Sequence, residues 1–151
     1  MAVTPLGWAA VNTPDALGTV FNSLASGAAA TTAAIDNTET TVGSAAFEQG
    51  DLWLVMSAAI TTGTGSPFLV ATVLESLDGT NYEPALVSGT TLYPIERSST
   101  KPLDPSTAYT VLRIPLLIPP SLFKVALLNN SGVAFAATVT ASLYRKRGQA
   151  G

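Results

Sequence analysis

The sequence predicts an all-β protein: an antiparallel β-sandwich, jelly-roll-like, led by an extended N-terminal arm. Three observations carry that expectation. From Asp51 to Lys146 one strand-like segment follows another. Turn signals separate them, above all Asp78-Gly79 and Asn129-Asn-Ser-Gly132, because glycine accepts positive φ in a tight turn without steric penalty. No segment of helical period alternates with the strands, so a parallel α/β sheet is not expected. The division that follows is an arm over 1–46, a sandwich of about seven or eight strands over 47–147, and a short flexible tail over 148–151.

Each element has its reason. Met1 to Pro14, with two prolines, a glycine and Trp8, reads as an extended lead-in, and Leu17 to Leu24 as a short strand. Ser23 to Ala46 is built almost wholly from Ala, Thr, Ser and Gly. Alanine favours helix, but Gly27, Ser26 and the paired Thr31 and Thr32 oppose it. The segment is therefore expected to be extended, or strand-like where it touches something.

Asp51 to Ile60 is apolar at successive positions, as in a central strand covered on both faces, with Trp53 in the core. Pro67 to Leu77 is the next strand, and Asn81 to Val87 returns as its hairpin partner. Tyr93 to Glu96 is a short edge strand. Ser98 to Thr107, polar and holding Pro102 and Pro105, is a loop. Tyr109 to Ile118 contains Pro115, which places it at a sheet edge or bulge. Leu122 to Leu128 follows. Val133 to Tyr144 alternates most clearly, with Val133, Phe135, Ala137, Val139, Ala141 and Leu143 on one face.

Composition restricts the function. Of 151 residues, 47% are hydrophobic and only 11% charged, about half the usual charged quarter of a soluble chain. The apolar residues never run to the roughly 18 in succession that a membrane-spanning helix needs. The excess must be hidden in a core or against other chains, which points to life inside an assembly. A net charge of −3 opposes a nucleic-acid partner, which calls for clustered Lys and Arg. The basic run Arg145-Lys146-Arg147 reads first as a solubilising, fraying end, with contact to an acidic neighbour or to packaged DNA as the alternative. The N-terminus has neither the positive nor the apolar region of a secretory signal, so synthesis in a cytoplasm is expected.

Catalytic chemistry is sparse. With no His and no Cys, neither Ser-His-Asp nor Cys-His arrangements can form, nor disulfides, nor the common zinc sites. Lys101 and Lys124 lack the desolvated setting that a Ser-Lys base requires. Asp51, Glu75, Asp78, Glu83 and Glu96 could in principle pair for glycoside hydrolysis, but strand ends and turns explain all five. Asp78 with Asn81 could touch calcium, although an Asx-turn accounts for the run better. Trp8, Trp53, Tyr82, Tyr93 and Tyr109 could form a sugar-stacking platform. Trp8, on a lead-in with nothing local to pack on, is a candidate anchor for a neighbouring subunit or for its own domain. An enzyme is not expected, and no cofactor or metal is assigned.

Three stretches carry a resemblance. Leu24-Ala-Ser-Gly-Ala-Ala-Ala-Thr-Thr-Ala-Ala-Ile-Asp36-Asn37, Ser76-Leu-Asp-Gly-Thr-Asn-Tyr82 and Pro119-Pro-Ser-Leu-Phe-Lys-Val-Ala-Leu-Leu-Asn-Asn-Ser-Gly132 resemble, in order and in turn chemistry, small structural proteins of tailed bacteriophages. The motifs are turns and strand ends that unrelated sandwiches also carry. The alanine-threonine arm is longer and blander than that family's pattern.

The resemblance implies a non-enzymatic capsid decoration, or cement, protein on the outer surface of a virion head. It implies a homotrimer over capsomer junctions, bound to the major capsid protein, with arms reaching its neighbours. Neither nucleic acid nor membrane is among the expected partners. Candidate partner-binding residues on the arm and its anchors are Trp8, Val11, Leu17, Val20, Phe21, Leu24, Ile35, Tyr144, Arg145 and Arg147. Removal of residues up to Ala46 is expected to abolish capsid binding while the remaining domain still folds. A carbohydrate- or receptor-binding module, and a head–tail connector or tail component, are the alternative expectations.

Overall fold

Alternation of inward and outward side chains builds two antiparallel sheets that share one apolar core. The computed structural model describes residues 8–11, 14–38, 47–76, 78–84 and 97–148. Its strands are β1 (Trp8–Val11), β2 (Asp15–Ala16), β3 (Ala29–Thr31), β4 (Ile35–Asp36), β5 (Gln49–Thr61), β6 (Phe68–Ser76), β7 (Ser98–Pro102), β8 (Ala108–Leu117), β9 (Leu122–Asn130) and β10 (Val139–Gly148). The first sheet runs β1-β10-β5-β8, with β2 also on β10. The second runs β3-β9-β6-β7, with β4 also on β9.

The core is filled by one face of each sheet. Leu52, Leu54 and Met56 of β5, Leu112, Ile114 and Leu116 of β8, and Val139, Ala141 and Leu143 of β10 meet Leu69, Ala71 and Val73 of β6 and Phe123, Val125 and Leu127 of β9. Each of these side chains larger than alanine contributes roughly 1.5–3 kcal/mol of burial. The period-two spacing of these residues is what the sheet pleat demands.

Several expected elements lie where the sequence places them. The 122–128 strand is β9, extended to Asn130. The segment holding Pro115 is β8, and it lies at the end of its sheet, where proline's missing N–H is tolerated. Asp78-Gly79 makes its turn with Gly79 at φ 74°. Asp78 Oδ1 accepts from the backbone N–H groups of Thr80 (2.8 Å) and Asn81 (2.7 Å). Gly132 turns at φ 85° and also allows a close backbone crossing, since a Cβ there would lie 2.8 Å from Gly63 Cα.

Other expectations are corrected. Residues 98–102 form strand β7, paired to β6 from Phe68↔Pro102 to Thr72↔Ser98. A polar edge strand buries no apolar face, so its sequence looks like a loop. Leu17 to Leu24 is a succession of turns and not a strand. The terminal strand begins at Val139, because 135–138 run instead along 22–24: Ser23 N–H donates to the Ala136 carbonyl (2.9 Å) and Phe135 N–H to that of Leu24 (3.0 Å). The strand buried on both faces is β6, not β5. In β5 Trp53 is only half-buried and faces outward. Residues 81–84 form no strand, while 85–87, Tyr93–Glu96 and tail residues 149–151 lie outside the described residues.

The largest correction concerns the arm. Within 1–46, the described stretches 8–11 and 14–38 are joined to both sheets. β1 pairs with β10 at Trp8↔Gly148 and Ala9↔Arg147, and β2 pairs with it at Ser142↔Ala16. β3 and β4 pair with β9. Leu17, Phe21, Leu24 and Ile35 are buried members of the common core, with Val20 packed against it. These side chains are widely spaced among Ala and Thr, yet they close gaps that the long strands leave. The remaining parts of the expected arm, 1–7, 12–13 and 39–46, lie outside the described residues.

Candidate interaction surface

The surface with most chemistry is the outward face of the first sheet. Register across β10, β5 and β8 sets Thr140, Val55 and Val111 in one row, and Ser142, Trp53 and Arg113 in the next. Tyr144, Asp51 and Pro115 follow, then Lys146, Gln49 and Leu117. Val55 is 44% exposed, Val111 45% and Leu117 59%. Val55 and Val111 are direct cross-strand partners, so their exposure is contiguous and not scattered. Beside them, Trp53 meets Tyr144 edge-to-face at 6.4 Å between ring centroids. The Arg113 guanidinium lies 5.9 Å from the Trp53 ring centroid, within cation–π range.

Asp51 anchors this face. It is buried and takes two cations: Arg113 Nη2 at 2.8 Å from Oδ1, and the Lys146 ammonium on Oδ2. Burial works against the charged carboxylate, but hydrogen bonds from Lys146 and Arg113 outweigh it and hold the carboxyl below its ordinary range. A carboxyl lowered on folding stabilises the protein above its unfolded pKa, and that stability is lost as pH falls through the folded value. Asp51→Asn is therefore expected to cost about 1.5–3 kcal/mol at neutral pH, towards the lower end because Arg113 is half exposed. In urea denaturation across pH, wild type and variant should converge on acidification. Parallel curves would assign Asp51 no such role.

The residues expected to bind partners are mostly engaged within the chain. Leu17, Phe21, Leu24 and Ile35 are core, so they are not surface anchors. Arg145 does not fray: its Nε lies 2.7 Å from Asp15 Oδ2, and its Nη1 donates to the Asp36 carbonyl at 2.7 Å. Tyr144 stands on the outward face with Trp53 as its aromatic neighbour. Trp8, Val11 and Arg147 are placed by their backbones in the β1–β10 pair. Arg113, Val55, Val111 and Leu117 carry no expectation from the sequence, and Asp51 enters there only as one of five carboxylates, not as the partner of two cations. The signal for three of them was the alternation of 109–118, whose outward set is Val111, Arg113, Pro115 and Leu117.

Of the remaining candidates, Glu75 and Glu83 are neighbours, Glu83 Oε2 accepting the Glu75 N–H at 3.0 Å, and the others are dispersed. Glu75 accepts from Arg97 and from Ser121 Oγ (2.8 Å). Asp78 spends both oxygens on its own turn, Oδ2 receiving Asn81 Nδ2 at 2.7 Å. The Asn81 and Thr80 backbone hydrogen bonds push its carboxyl well below the ordinary range. Tyr82 carries Lys124 over its ring at 4.0 Å, and Tyr109 hydroxyl accepts the Asp104 N–H at 2.9 Å. Glu96 and Tyr93 lie outside the described residues. Among the described residues no group of three or more acidic side chains is placed to hold a metal ion, and no helix is long and apolar enough to cross a membrane.

Compared with protein-family models, curated proteins and solved structures, the chain matches none.

Proposed function

We propose that this chain is a non-enzymatic decoration protein of a tailed-phage head, which binds other polypeptides through the outward face of its first sheet. The observation that carries the reading is the contiguous Val55–Val111 pair with Leu117, set beside Trp53, Tyr144 and Arg113. Apolar area with aromatic and arginine residues, and little net charge, is the composition of an interface centre. In this reading the domain is a jelly-roll-like sandwich that assembles as a trimer and covers that face against the major capsid protein. Many copies on a closed shell would then bridge capsomers through individually weak contacts.

The three stretches that resemble phage structural proteins support the reading in a second way, since they are neighbours in space. β3 and β4 from the first stretch pair with β9 from the third, whose Leu122 lies opposite Ser76 at the start of the second. Asn129 Nδ2 donates to the Leu24 carbonyl at 2.8 Å, and Gly132 N–H to Ser26 Oγ at 3.1 Å. The shared pattern is thus one set of fold-forming contacts. These contacts hold this fold together, and in this reading partner contact falls to the sheet face in place of the expected arm.

The test is co-sedimentation of the full chain with purified, expanded heads. Val111→Asp with Leu117→Asp, both at exposed positions, should leave stability within about 0.5 kcal/mol per site. Binding should weaken at least about 30-fold, the equivalent of one interface hot spot near 2 kcal/mol. Equal binding of wild type and double variant would remove the sheet face from the account. Binding to glycans in place of heads would favour the receptor-binding alternative.

A further inference from the structure

The edge strands β7 and β8 approach one another across the two sheets, and their seam carries two adjoining clefts. One, of about 490 Å³, is walled by Asp51, Arg97, Ser99, Arg113, Leu117 and Lys146. The next, of about 370 Å³, continues to Lys101 and Tyr109, with Arg113 and Pro115 common to both. The result is an elongated track and not a closed cavity.

Its electrostatics are one-sided. Among the described residues four cations line the track, and the carboxylates they contact are Asp51 and Glu75, so by that count the lining carries two positive charges in excess. The donors are also in excess. Arg113 engages Asp51 through Nη2 alone, and Arg97 engages Glu75 through Nη1 alone. The other guanidinium N–H groups meet no protein acceptor among the described residues. A planar guanidinium with a free edge matches a carboxylate in bidentate fashion.

The walls decide which anion fits. Leu117 and Pro115 place exposed apolar surface directly beside the cations, which suits a ligand that carries charge and hydrocarbon on the same side. An extended peptide presents side chains to one side about every 6.8 Å, and a track suits it better than a point site would. Single-stranded nucleic acid would want successive aromatic platforms, whereas among the described residues Tyr109 is the one aromatic on these walls. We propose that the β7–β8 seam is a docking groove for an extended acidic segment of a second polypeptide. Its carboxylates engage Arg113 and Arg97, and its apolar side chains lie on Pro115 and Leu117. This requires only an acidic polypeptide, and it stands whether or not the partner is a viral shell.

The experiment is a ¹H–¹⁵N NMR titration of the full chain with acetyl-Glu-Ser-Leu-Ser-Glu-Ser-Leu-amide, whose Glu and Leu side chains share one side when extended, with its Gln counterpart, and with an oligothymidylate. The Glu peptide should shift the amides of β7 and β8 and the Arg113 Nε resonance. It should bind at least about tenfold more tightly than the Gln peptide, as expected for charge-assisted over neutral hydrogen bonds, and should weaken as salt is raised. Arg113→Gln should lose most of that advantage. Arg97→Gln, which leaves both cations on Asp51, should lose part of it, so a folding defect in the first variant does not decide the matter. Equal affinity for Glu and Gln peptides, indifference to both variants, tighter binding of the oligothymidylate, or no shifts at millimolar peptide would each overturn the proposal.

Discussion

Phe21→Ala is expected to cost about 3–5 kcal/mol, the usual loss for emptying a buried phenylalanine site. Phe21 is 1% exposed, although it lies in the part of the chain that reads as an uncharged arm. Its segment is clamped to the start of β10: Asn22 Oδ1 accepts the Val139 N–H at 2.8 Å, and the Ala136 carbonyl takes the Ser23 N–H at 2.9 Å. With a total stability of about 5–15 kcal/mol for a domain, that loss brings the variant close to unfolding. Truncation to residue 46 removes Leu17, Phe21, Leu24 and Ile35 together and is expected to leave no folded domain. Urea denaturation should show a large fall in midpoint for Phe21→Ala with the slope retained. A midpoint within error of wild type, or a folded 47–151 fragment, would return this segment to the status of an arm.

Asn129→Leu is expected to cost about 2–4 kcal/mol. Asn129 is fully buried, and its amide closes the fold at one end. Nδ2 donates to the carbonyls of Leu24 (2.8 Å) and Val133 (2.9 Å), while Oδ1 accepts the Ser131 N–H at 3.0 Å. Leucine has a similar branched outline but is larger, and it strands these backbone groups away from water, at about 1–3 kcal/mol for each that finds no new partner. The effect should appear as faster hydrogen exchange at Ser131 together with a lower urea midpoint. A neutral substitution would mean that the three backbone groups find other partners, and that Asn129 is not the latch between the N-terminal segment and β9.

The long strands were legible because their burial is periodic. β8 and β9 show one inward and one outward set, and Pro115 marks its own edge. The turns at Gly79 and Gly132 were legible because few residues other than glycine accept their positive φ. The core role of Phe21, Leu24 and Ile35 was not legible. Their spacing follows no period, and they are held by contacts to residues about a hundred positions away. β7 was hidden because Ser98, Thr100 and Pro102 face solvent, so the strand carries no apolar face to detect.

The misreading of β5 is the most informative for function. Trp53 and Val55 are apolar on the outward face, and a sequence records apolarity without recording what covers it. The same ambiguity made Trp53 look like core. Arg113 went unnoticed because its importance depends on meeting Asp51 and Lys146 across three strands, a juxtaposition that only register creates.

On the proposed reading, this protein coats a shell in many copies through its exposed sheet face. Saturation stoichiometry in the head co-sedimentation measures it most directly. The account predicts a plateau on the order of hundreds of copies per head, as repeated occupation of a symmetric shell requires. Failure to bind, or a plateau at a handful of copies, would contradict it.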